Sequence, residues 1–158
     1  MSDSPEDILS RELAKLASLS GSIGHLLSGA TGGEKEAGKA ASLGTQFALR
    51  FLPTERYSEK LTLAVPPERA LKYGYSVLAE MGSLQKQAGE EAPYPFLKAV
   101  VGSGFMGMNP AVIFFEILEG DTAGCVVIIT GAAKEGLIKQ HTAQKAVQSV
   151  VEALNRLS

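Results

Sequence analysis

The sequence predicts an α+β domain: an antiparallel sheet of about four to five strands with helices packed on one face, preceded by an N-terminal helical segment. Three observations predict it. Residues 60–65 alternate apolar and polar, and Pro66, Pro67 and Glu68 then open a helical stripe. Two runs rich in β-branched and aromatic residues, 111–118 and 125–130, flank a stretch of turn residues. The chain closes on an amphipathic pattern over residues 142–157.

The elements follow in order. Ser4 is suited to cap a first helix, with Pro5 in its first turn and Asp7 near its positive end. Leu9, Leu13, Leu16, Ile23 and Leu27 lie near one seam, spaced like a short coiled-coil stripe, and are the candidates for oligomerisation. The same seam is open to packing on its own domain. Glycines at 21, 24, 32 and 33 interrupt it and leave the segment partly flexible. Residues 34–52 suit a helix better than a strand, and Pro53 ends them. The expected division is therefore an N-terminal helical segment, 1–52, and an α+β domain, 53–158.

In that domain Leu61, Leu63 and Val65 share one face of the first strand. The helix that follows is expected to bury Leu71, Gly74, Tyr75, Leu78 and Met81, and to stop at Gly82. Residues 83–87 suit a short strand, 89–95 a turn or loop, and 96–101 and 111–118 two further strands. Residues 119–124 have turn chemistry, so 125–130 pairs back as a hairpin. The last helix is expected to bury Ala143, Ala146, Val147, Val150, Val151, Leu154 and Leu157. Residues 112–118 and 126–129 are apolar on both faces apart from Glu116. The second sheet face therefore needs a cover, from the N-terminal region or from a second subunit.

The chain has 158 residues and a formal net charge of -2, so nucleic acid is not the expected partner. The one cysteine, Cys125, excludes an intrachain disulfide and suits a reducing compartment. Met1 is followed by an acidic, proline-containing stretch rather than the basic start of a signal peptide. No run approaches the roughly 18 apolar residues of a membrane span. The cytoplasm is the expected location.

Residues 100–110, VVGSGFMGMNP, place Gly102, Gly104 and Gly107 in the G-x-G-x-x-G pattern of a dinucleotide-binding turn. That turn needs a helix next, with its N-terminus facing the pyrophosphate. Here Pro110 and a β-branched, aromatic run follow instead. The glycines read as a hairpin-like connection, and no cofactor is expected. Phe105, Met106 and Met108 then sit at a turn, tucked over one end of the core or lining a pocket or interface.

Little else carries chemistry. His25 and His141 lie in different segments, and no acid, His or Cys cluster has metal-ligand spacing. Cys125 opens an apolar strand and is expected to be a buried, inert thiol. Glu116 faces solvent or a groove edge, or is a buried acid suited to acid–base catalysis or to anchoring a ligand. His141 is expected to cap the last helix at the surface, with a partnership to Glu116 as the alternative. Lys134, Glu135 and Lys139 read as a solvated charged run.

The start EKLTLAVPPERALKYGYSVLAEMG and the end CVVIITGAAKEGLIKQHTAQKAVQSVVEAL give residues 59–157 an order of elements that resembles the TATA-box-binding-protein-like domains. More loosely, it resembles the helix-grip domains that bind lipids and polyketides. The resemblance implies fold alone and carries over no functional residue. Three functions follow as expectations. The first is a non-enzymatic binding or protein-interaction domain that self-associates. The second is a carrier holding a small hydrophobic ligand between the last helix and the sheet, with Phe105, Met106 and Met108 at its mouth. The third is a small enzyme using Glu116 as general acid or base.

Overall fold

The computed structural model describes residues 5, 7–13, 52–85, 96–103, 109–135 and 140–158. Five strands form one antiparallel sheet: β1 (Thr54–Leu63), β2 (Gly82–Leu84), β3 (Leu97–Ser103), β4 (Asn109–Gly120) and β5 (Cys125–Lys134). Their spatial order is β1-β5-β4-β3-β2. Helix α1 (Pro67–Met81) joins β1 to β2, and helix α2 (Thr142–Asn155) follows β5. Residues 7–13 are helical as well. The α+β class, the antiparallel sheet and the element order agree with the sequence.

Alternation decides the two faces. Leu61 and Leu63 on β1, Val127 and Ile129 on β5, Ile113 and Phe115 on β4, and Ala99 and Val101 on β3 turn towards α1 and α2. These residues form the main core with Ala146, Val147, Val150 and Leu154 of α2. On the other face, the cover that the described residues supply lies at one end. There Ile8 and Leu9 pack on Val112 and Ala132, with Val100 and Phe114 beside them. The N-terminal region thus supplies part of the cover that the two-sided apolar strands require.

Strand limits differ from the expected ones where local propensity is weak. β1 begins at Thr54, before the alternating stretch, because residues 54–59 pair with residues 129–134 of β5; its Arg56, Ser58 and Lys60 stay exposed on the outer face. β5 runs on through Gly131, Ala132 and Ala133, residues with little preference for strands. Tertiary packing accounts for this. A Cβ at Gly131 would lie 2.7 Å from Val147 Cγ2 and 2.9 Å from the Ala143 carbonyl oxygen. The missing side chain lets α2 lie directly on β5. Gly82 is extended, so space rather than φ selects it: a Cβ there would meet the Val100 carbonyl oxygen at 2.1 Å.

The helices correct two expected core positions. Tyr75 is 58% exposed, while Ala70, Gly74, Val77 and Leu78 are buried. The buried stripe follows the 70–74–77 row, and each helical step turns about 100°, which swings Tyr75 off it. Leu157 is 46% exposed because α2 ends at Asn155.

Candidate functional site

The polar chemistry of the described residues gathers where α2 begins. His141 precedes the helix in the left-handed conformation, at φ 54°. A helix start leaves backbone N–H groups without partners, and those groups carry partial positive charge. Two carboxylates meet them. Glu135, just after β5, accepts from the Gln140 N–H through Oε2 at 2.6 Å and from the Thr142 N–H through Oε1 at 2.9 Å. Glu55, near the start of β1, accepts from the Ala143 N–H through Oε2 at 2.8 Å. Its other oxygen lies 3.3 Å from His141 Nδ1. Sheet register accounts for the convergence, since Glu55 pairs with Ala133 two residues before Glu135.

The environment of Glu135 is unusual for a charged group, since only 6% of the residue is exposed. Burial pushes its carboxyl up. Hydrogen bonds from the Thr142 and Gln140 N–H groups and the Thr142 hydroxyl, with the Glu55 side chain beside it, outweigh that and hold it below the ordinary carboxylate range. The charged run expected around Lys134 and Glu135 is therefore not simply solvated. Lys134 donates from Nζ to the Leu52 carbonyl oxygen at 3.1 Å, and Glu135 is a buried helix cap. Asn109, where β4 starts, donates to Gln140 Oε1 and ties the sheet to the same end of α2.

Of the sequence candidates among the described residues, His141 alone belongs to this cluster. Its partner is Glu55, not Glu116. Glu116 lies exposed on the outer face, opposite Ile128 of β5. The sulfur-bearing Cys125 is buried, and that burial pushes its thiol up, away from the reactive thiolate. Leu9 is fully buried on the sheet, whereas Leu13 is half-buried. Leu16, Ile23, Leu27, Phe105, Met106 and Met108 lie outside the described residues. The ends of the glycine turn are described: Gly102 pairs with Pro110, and Ser103 with Asn109. The element after the glycines is the strand β4.

Sequence reasoning missed Glu55 and Glu135. Neither has a capping spacing to α2, because Glu55 reaches Ala143 across 88 residues of chain. The available signal was weak: Glu135 stands among residues that precede a helix with no acid in its first turn. Among the described residues no group of three His, Cys, Asp or Glu side chains is placed to hold a metal ion. None of the described helices is long and apolar enough to cross a membrane.

No protein-family model matches the chain, and neither does any curated protein. Among solved structures it is similar to EF2215, a conserved protein of unknown function from Enterococcus faecalis, at 11% identity and a TM-score of 0.40 over 66% of this chain and 71% of that one. It is similar to TTHA0849 from Thermus thermophilus, at 16% identity and a TM-score of 0.39 over 65% of this chain and 95% of that one. A third is norcoclaurine synthase from Thalictrum flavum in complex with dopamine and hydroxybenzaldehyde, at 10% identity and a TM-score of 0.40 over 70% and 90%. At these values the likeness carries neither activity nor ligand to this chain.

Proposed function

We propose that the chain is a non-enzymatic protein-interaction domain that self-associates through the outer face of its sheet. One observation supports this most directly: among the described residues, Ile8 and Leu9 cover one end of an apolar face. Towards the other end Val126 and Ile128 are half-buried, and Leu118 is 48% exposed. Contiguous exposed apolar surface marks binding surfaces. The acids near α2, buried Glu135 and half-buried Glu55, are already engaged by backbone N–H groups, which argues against a catalytic role for them. Leu9 is occupied by its own sheet, which takes the first position of the seam away from pairing between subunits.

Sedimentation velocity across a concentration series tests the reading. We expect a concentration-dependent dimer that Ile128→Lys converts to monomer. Tyr75→Lys, on the exposed side of α1, should leave it intact. A wild-type chain that stays monomeric throughout would sink the proposal.

A carrier of a small hydrophobic ligand is the second reading. The close seat of α2 at Gly131 leaves no room for a ligand at that point. The site would lie elsewhere between α2 and the sheet; Phe105, Met106 and Met108, the expected mouth, lie outside the described residues. Protection from heat by medium-chain fatty acids would favour it. A midpoint no higher than in buffer would remove it.

A further inference from the structure

We infer that Glu135, with Glu55 beside it, is a proton-sensitive clasp that holds the first turn of α2 against the sheet and lets it go in acid, before the sheet itself unfolds. The geometry carries this. The two carboxylates reach the N–H groups of Gln140, Thr142 and Ala143 from two different strands' ends. A carboxylate accepts these bonds with its charge; a protonated carboxyl is a weaker acceptor and loses the attraction of the helix dipole. The Thr142 and Ala143 side chains are buried at this seam, and the Ala143 carbonyl lies over Gly131. Release of the first turn therefore uncovers the glycine groove of β5.

The surrounding charges shape the response. His141 faces Glu55 directly, and the Glu55 and Glu135 side chains lie beside one another. Along the same face of β1, Glu59 accepts from the Tyr57 hydroxyl at 3.5 Å. Lys134 is engaged with the Leu52 carbonyl, Arg56 lies exposed on the opposite face, and Lys145 is exposed on α2 one turn beyond His141. Lys139 lies outside the described residues. The depressed titration of Glu135 agrees in sign. A group whose folded pKa is lowered gives stability that is present above its unfolded pKa and is lost as pH falls through the folded one. The clasp is thus closed at neutral pH and opens below the ordinary carboxylate range.

Amide hydrogen exchange on the full chain, corrected for intrinsic chemistry, tests it. Between pH 6 and about pH 3.5 the protection of the Thr142 and Ala143 amides should fall about tenfold, the scale of losing a helix cap. The Val127 and Ile129 amides should hold. In Glu135→Gln the Thr142 amide should already be poorly protected at pH 6, with no further fall in acid. If that variant does not fold, Glu55→Gln should lower protection at Ala143 alone. The inference is overturned if helix and sheet amides lose protection together, if Thr142 stays protected in acid, or if the Gln variants keep the wild-type profile.

Discussion

Gly131 is where a single missing side chain sets the distance between layers. An added Cβ would press on Val147 Cγ2 and on the Ala143 carbonyl, and a backbone oxygen cannot move aside cheaply. Gly131→Ala should therefore cost about 1–3 kcal/mol, as overpacking does, in spite of the entropy gained by removing a glycine. Denaturant melts measure it, and an unchanged midpoint would mean that α2 does not rest there. Cys125 allows a second test at this scale. Its thiol is buried and pushed up, so alkylation of the native protein at pH 8 should be slow and become fast in denaturant. Rapid modification of the folded chain would contradict that burial. The candidate residues read from the sequence divide on the same principle. Burial of Cys125 was legible because apolar neighbours surround it in the chain. The position of Glu116 was not, because alternation says that it faces away from Phe115 without saying what covers that face.

Among the elements, the N-terminal helical residues are the ones whose partner the sequence left open. The seam through Leu9 fits a coiled coil and a domain surface equally well, since both need apolar residues three and four apart. In the fold, Leu9 is fully buried on Val112 and Ala132, and Ile8 is buried beside it. Leu9→Ala should destabilise the domain by about 2–3 kcal/mol, within the range for a large-to-small core substitution. A thermal melt checks it; no change would mean that this helix contributes nothing to the fold. The long strands show the complementary limit. β4 was visible from its β-branched and aromatic run, whereas the last residues of β5 and the first of β1 were not. Gly131 to Ala133 are strand because β1 and β4 pair with them on both sides.

At the scale of the molecule, the sheet separates two unequal cores. The inner one is closed by α1 and α2, and among the described residues the outer one is closed where Ile8 and Leu9 sit. Self-association through the open end and acid release of α2 are therefore independent: Ile128→Lys should abolish the first without altering exchange at Thr142. Coupling between the two would mean that the faces communicate through β5. The order of elements, the inward face of β1, nearly all of the buried face of α2 and the strand after the glycine turn were determined by the sequence alone, because each follows from the period of apolar residues within a few turns or strands of local chain. Tertiary structure alone decided which face the N-terminal residues cover, why Gly131 is glycine, and that Glu55 and Glu135 cap the same helix. Those contacts join residues far apart in the chain through strand register and layer spacing, and no local pattern encodes either.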